Sequence, residues 1–157
     1  MRVILQNVRS LHNVGSIFRT ADAAGVDKIY LCGITPRPTD QFGRFRSQLT
    51  KVSLGAERTV AWEKCVSASR LIDKLKNDGY KIFAIEQSQK SIPYYKFSGV
   101  ATRSYKAALV MDGEVKGLSS AILNKCDKIL EIPMRGKKES LNVAVAFGIV
   151  IFGLLYK

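Results

Sequence analysis

Three segments of this 157-residue chain hold polar and glycine residues that a packed core does not require. The first, NVRSLHNVGSIFRTADAAG at residues 7–25, sets Asn7, Asn13, Gly15 and Arg19 around an amphipathic stretch. The second, ALVMDGEVKGLSS at residues 108–120, runs from an apolar strand into Asp112, Gly113 and Glu114 and on to Gly117. The third, EIPMRGKKESLNVAVA at residues 131–146, is again a strand end, then a loop with Gly136, then Ser140 and Asn142 ahead of an apolar block. The second and third have the form of a ligand site at the carboxyl ends of parallel strands, where glycine lets the backbone come close to a bound molecule. Each segment also has a plainer reading. Arg19 and Asp22 suit a surface pair on a helix, Asp112 and Gly113 suit a turn, and Ser140 suits a helix N-cap.

Several familiar chemistries do not fit the pattern. No strand is followed by G-x-G-x-x-G, and MRGKKES lacks the first glycine and the Ser or Thr placement of a phosphate-binding P-loop. His12 is the single histidine, which argues against Ser-His-Asp, Cys-His and multi-histidine metal chemistry; it reads as a solvated neighbour of a helix start. No metal site is expected. Cys32, Cys65 and Cys126 are far apart and form no CxxC pair, so they suggest neither a disulfide framework nor a zinc site. They fit a reducing cytosol. The opening MRVILQNVRS has no signal-peptide pattern, and a cytoplasmic location is the expectation.

The elements that must position these segments follow from hydrophobic periodicity. RVIL, KIYLC, RTVAW, YKIFAIE, AALVM and KILEI are rich in β-branched and aromatic residues and read as strands. Between the first two, Val14, Ile17, Phe18 and Ala21 follow the helical i, i+3, i+4, i+7 spacing, with Asn13 as N-cap and Gly25 as terminator. Leu71, Ile72 and Leu75 mark a second helix, ended by NDG. Alternation of strands and helices predicts an α/β fold, a mostly parallel sheet with helices on both faces. The length suits one domain spanning residues 1–157. Two loops exceed what such units need: GITPRPTDQFGRFR after the second strand and QSQKSIPYYKFSGVATRS after the fourth.

Lys and Arg number 25 against 13 Asp and Glu, a formal net charge of +12 spread along the chain. A folded basic surface of this kind suits a polyanion, nucleic acid first and anionic lipid second. The block from Val143 to Leu155 is almost wholly apolar. As a helix it spans roughly 20 Å against a hydrocarbon core of about 30 Å, too short to cross. No membrane partner is expected.

Taken in order, the three segments resemble the motifs of the SPOUT methyltransferases, specifically the SpoU (TrmH-type) branch that methylates ribose 2′-hydroxyls in tRNA or rRNA. Asn13, Gly15 and Arg19 match the first motif and Glu114 and Gly117 the second; Pro133, Gly136, Ser140, Leu141 and Asn142 match the third. The resemblance covers nearly the whole chain. It implies a C-terminal deep trefoil knot, a rare exception among folds. It further implies S-adenosylmethionine bound in the knotted loops and a homodimer formed through helices that include the terminal one.

By the same resemblance, Ile85, Glu86, Asp112, Gly113, Gly117, Ile132, Met134, Ser140 and Leu141 would contact the cofactor. Arg19, Asn13, Glu114, Ser140 and Asn142 would form the catalytic set. Arg19 would bind an RNA phosphate and stabilise developing oxyanion charge, Asn13 would position Arg19 or the ribose, and the others would hold the loops. Arg44, Arg46, Lys51, Arg135, Lys137 and Lys138 would meet the RNA backbone. One departure stands out: Asp112 occupies a position where the family usually has glycine, so its side chain turns away from the cofactor, weakens cofactor binding, or favours the sulfonium cation. The implied function is S-adenosylmethionine-dependent methylation of a ribose 2′-hydroxyl in RNA, tRNA ahead of rRNA. The alternative is a catalytically silent RNA-binding protein of the same fold.

Overall fold

The computed structural model describes residues 1–97, 106–113 and 117–156. The apolar runs become the strands β1 (Arg2–Gln6), β2 (Lys28–Cys32), β3 (Ala61–Cys65), β4 (Lys81–Ile85), β5 (Ile92–Pro93), β6 (Ala107–Asp112) and β7 (Lys128–Glu131). They form one sheet in the order β3-β2-β1-β6-β4-β7-β5, and every pairing between these strands is parallel. Parallel neighbours require long crossovers. The connections carry α1 (Leu11–Ala23), α2 (Ser47–Ser53), α3 (Ala56–Thr59), α4 (Ala68–Asn77) and α5 (Ser120–Leu123), and α6 (Val143–Leu155) follows β7.

Alternate residues of the central strands face two separate cores. Val3, Leu5, Ile29, Leu31, Leu109 and Met111 pack with α1, α2 and α6 on one side. Ile4, Tyr30, Ile82, Ala84, Ala108 and Val110 pack with α4 and α5 on the other. Burial on both faces is why these strands read as unbroken apolar runs rather than alternating ones. β6 enters between β1 and β4, and β7 between β4 and β5. The polar strand ends of the second and third segments therefore open on either side of β4.

Some local expectations change. α1 begins at Leu11, and its N-cap is Ser10 rather than Asn13: the Ser10 hydroxyl oxygen accepts the Asn13 N–H at 3.2 Å. A hydroxyl cap one turn earlier satisfies a donor that would otherwise be orphaned. Gly25 ends the helix as expected, with positive φ, while its N–H donates to Asp22 O and the Val26 N–H to Ala21 O. β3 starts at Ala61 instead of Arg58. Ala56–Thr59 closes a helical turn, and the edge strand takes its register from β2, with Lys28 opposite Ala61. The long loop after β4 contains β5, which adds to β7, and a 3-10 turn at Tyr94–Lys96 whose Tyr94 ring lies against Gly153 of α6.

The apolar terminal block is α6, and it is covered on one side. Val143, Phe147, Val150, Ile151 and Leu154 are buried, whereas Val145, Phe152 and Tyr156 are exposed. Among the described residues no helix is long and apolar enough to cross a membrane.

Candidate functional site

A cleft opens at the carboxyl ends of β4, β6 and β7. Ile85, Glu86 and Gln87 form one wall; Met111, Asp112, Gly113 and Gly117 form the second. Glu131, Ile132, Met134, Ser140 and Leu141 form the third, and Val143 and Ala146 close the back from the first turns of α6. Every residue that the resemblance assigns to the cofactor lies in these walls. Met111, Glu131, Val143 and Ala146 were not foreseen, and Gln87 joins Glu86 at the start of the loop after β4. They are strand-end and helix-start neighbours of the motif residues, and only the side-by-side placement of β4, β6 and β7 gives them a common role.

Hydrogen bonds brace the cleft from behind. The Glu86 carboxylate accepts the N–H of Gln87 and of Leu118, each at 2.9 Å. Gly117 has φ +66°, a left-handed angle that favours glycine, and a Cβ there would come within 2.7 Å of Glu86 Oε2 and press on that carboxylate. Gln87 Nε2 donates to Glu139 O at 2.6 Å and ties the β4 loop to the loop after β7. Glu131 accepts the Ser91 hydroxyl at 2.6 Å. Gly113 backs onto the turn after β1: its N–H donates to Gln6 O at 2.9 Å, and a Cβ on it would collide with the Asn7 carbonyl. Asn7 itself is left-handed, φ 53°, and its Oδ1 accepts the Ile34 N–H at 3.3 Å.

Asp112 is partly buried, and its Oδ1 accepts the Gly113 N–H at 2.8 Å. Burial pushes its carboxyl above the ordinary carboxylate range; the Gly113 N–H opposes this and the nearby Glu86 charge adds to it. With Glu86 and Glu131 it makes an acidic interior in a chain of net charge +12. The exposed Arg135, Lys137 and Lys138 occupy the loop between Met134 and Ser140, so positive charge rims the same cleft. Arg44, Arg46 and Lys51 are exposed on the loop after β2 and on α2. Among the described residues no group of His, Cys, Asp and Glu is arranged to hold a metal ion.

The catalytic set is brought together only in part. Ser140 lines the cleft but does not cap α6. Asn142 does: its Oδ1 accepts the N–H of Ala144 at 3.0 Å and of Val145 at 3.4 Å. The helix starts two residues later than a Ser140 cap requires. Asn142 Nδ2 donates to Asn13 Oδ1 at 3.1 Å, which joins the first and third segments across 129 positions of sequence. Arg19 is exposed on α1 and is not part of the cleft walls. Its expected partner Asp22 instead accepts the Thr59 hydroxyl at 2.5 Å. Glu114 lies outside the described residues.

A parallel sheet with a glycine-braced cleft across three strand ends, acidic within and cationic at its rim, defines an α/β protein with its candidate site at the carboxyl ends of parallel strands. Residues 1–152 match the SpoU rRNA Methylase family, and the chain belongs to that family. It is 32% identical, over 95% of its length and 55% of the relative's, to the 23S rRNA (guanosine-2′-O-)-methyltransferase RlmB of Neisseria meningitidis. Its fold is similar to that of the A. aeolicus TrmH/SpoU tRNA modifying enzyme, with a TM-score of 0.81 and 29% identity over 96% of this chain and 71% of that one. It is also similar to the AdoMet-bound rRNA methyltransferase of Sinorhizobium meliloti, with a TM-score of 0.84 and 28% identity over 97% of this chain and 54% of that one. The chain spans 55% to 58% of the length of the curated relatives it matches.

Proposed function

We propose that this chain methylates a ribose 2′-hydroxyl of RNA, tRNA ahead of rRNA, with S-adenosylmethionine as methyl donor, and that it works as a cytoplasmic homodimer. One observation carries the reading: residues assigned to the cofactor at the end of β4 and in the second and third segments share one cleft. Its chemistry fits the donor. Ile85, Met111, Ile132, Met134 and Leu141 offer an apolar slot for a flat base, and Gly113 and Gly117 offer close backbone. Glu86, Asp112 and Glu131 suit a ligand with net positive charge. The similarity to an AdoMet-bound methyltransferase supports the same assignment.

When bound, S-adenosylmethionine supplies an electrophilic methyl group on a sulfonium. The work of this chain is then to align a ribose oxygen with that group and to stabilise the charge that develops. Arg19 is the residue for the second task, as a permanent cation that binds phosphate and stabilises an oxyanion. Because it is not part of its own chain's cleft walls, Arg19 acts in the cleft of a second subunit docked through α6. The exposed Val145, Phe152 and Tyr156 favour α6 as that contact. Asn13 and Asn142 hold α1 against the loop after β7, and Ser140 shapes the cleft edge. The proposed roles extend to Glu114 as a loop support and to Arg44, Arg46, Lys51, Arg135, Lys137 and Lys138 as phosphate contacts. We also infer the C-terminal knot. Insertion of β6 and β7 between strands already placed, followed by return of α6 onto α1, is the path such threading needs.

The test is incubation with labelled S-adenosylmethionine and separate tRNA and rRNA pools, with mapping of ribose-methylated nucleotides. Arg19→Ala is expected to abolish transfer while keeping the fold and most cofactor binding; full activity in that variant refutes the mechanism. Label on base atoms overturns the ribose assignment. Asp112 in the cleft wall keeps the silent RNA-binding reading in play, and calorimetry decides it: RNA binding without S-adenosylmethionine binding selects that alternative.

A further inference from the structure

The loop after β2 contributes nothing to either core at its tip, yet it is tightly built. Thr39 and Phe45 form an antiparallel bridge. Inside it the Asp40 N–H donates to Arg44 O at 2.8 Å and the Gly43 N–H to Asp40 O at 3.2 Å, with Gly43 left-handed at φ 78°. This is the three-residue hairpin loop with a glycine in the left-handed position. The Asp40 carboxylate fastens it further, accepting the N–H of Phe42 at 2.8 Å, that of Arg44 at 3.0 Å, and Arg44 Nε at 3.1 Å. Arg46 Nε bonds Thr39 O across the base at 3.2 Å.

What this turn presents is aromatic and cationic. Phe42 at the tip is 71% exposed and Phe45 41%. The Arg44 guanidinium lies 5.1 Å from the Phe42 ring centroid and that of Arg58 lies 4.5 Å from the Phe45 centroid. An apolar ring held in water costs solubility unless a partner covers it, and here the arginines say which partner. A nucleotide offers both a π-face for the ring and a phosphate for the guanidinium, the combination used by single-strand binding surfaces.

We propose that the hairpin at residues 39–45 is a stacking platform for an unpaired nucleotide of the RNA, with Phe42 taking the base and Arg44, Arg46 and Arg58 the neighbouring phosphates. The proposal rests on the RNA-substrate reading above. Its position suits that role. Ile34, at the start of this loop, is bonded to Asn7, and Asn7 packs against Gly113 in the cleft wall. The ends of β2 and β6 are separated by β1 alone, two strand spacings or roughly 10 Å. The loop that carries the hairpin thus leaves the sheet on the same side as the cleft.

The test compares fluorescence anisotropy of the intact protein with a labelled single-stranded oligo(U) RNA and with a fully paired RNA of equal length, over a salt series. Phe42→Ala is expected to weaken single-strand binding about five- to hundredfold, the effect of losing one base–aromatic stack. It leaves paired-RNA binding and the salt slope unchanged, and Phe42→Trp keeps wild-type affinity. Arg44→Ala instead lowers the single-strand salt slope by about 0.7, one phosphate's share. Unchanged single-strand affinity in Phe42→Ala overturns the platform. So does a Phe42→Ala chain whose oligomeric state shifts in light scattering while its RNA affinity holds, because the ring then serves a subunit contact. Wild-type protein that binds neither RNA removes the RNA-substrate reading itself, and the platform with it.

Discussion

Replacing Asn142 tests whether the first and third motifs act as one unit. Asn142→Ala removes the oxygen that caps Ala144 and Val145 and the amide that reaches Asn13. Loss of a side-chain N-cap costs about 1 kcal/mol. A neutral hydrogen bond at an exposed site adds about 0.5–1 kcal/mol. Together the loss is about 1.5–2 kcal/mol, which for a domain of this size lowers Tm by roughly 3–8 °C. Asn142→Asp separates the two parts. It keeps a capping oxygen and places negative charge at the helix N-terminus, but it turns an oxygen toward Asn13 Oδ1 where a donor had been. The cap is kept and the bridge to Asn13 is lost. The assay is thermal and urea unfolding followed by circular dichroism at one fixed protein concentration, since subunit association would otherwise move Tm. A double-mutant cycle with Asn13→Ala should return a coupling of about 0.5–1 kcal/mol. A loss below about 0.5 kcal/mol in Asn142→Ala, or a coupling indistinguishable from zero, refutes the reasoning.

Two further substitutions probe the cleft. Gly117→Ala forces a left-handed backbone angle on a residue with a Cβ and drives Glu86 from its bond to Leu118, so stability should fall by about 1–2 kcal/mol and calorimetry should show weaker S-adenosylmethionine binding. Unchanged cofactor affinity would show that the Glu86 brace does not shape the site. For Asp112 the sign follows from its raised native pKa. The native state holds the proton more tightly than the unfolded chain, so this group's stabilising contribution is present at acid pH and lost as pH rises through the raised native pKa. Asp112→Asn removes that loss, and its stability advantage in urea unfolding should grow from acid to neutral pH. An advantage that stays constant across the range, or a disadvantage, counts against a desolvated carboxyl at this position.

Local pattern made much of this protein readable. The apolar face of α1, the bounds of α6 from Val143 to Leu155 and the cores of β1, β2 and β6 follow from periodicity, because burial and helical or strand period leave their mark on nearby residues. Cap positions were less readable. Ser10 and Asn13 are both good capping residues, as are Ser140 and Asn142, and the choice between them rests on which oxygen the folded backbone meets. The unforeseen cleft residues Met111 and Glu131 carry no local mark at all.

The sequence by itself determined that the chain is α/β, that it is strongly basic, and that three ordered motifs place it beside one methyltransferase family. Only the tertiary structure decided that β6 lies between β1 and β4, that the ends of β4, β6 and β7 bring Ile85, Asp112, Gly117, Ile132 and Leu141 to one cleft, that Asn142 reaches Asn13, and that Arg19 lies outside the walls of that cleft. The physical reason is that parallel pairing joins strands distant in sequence. A strand's composition records that both its faces are buried, but the identity of its neighbours, and hence of the residues that meet at its end, is fixed by the packing of the whole sheet.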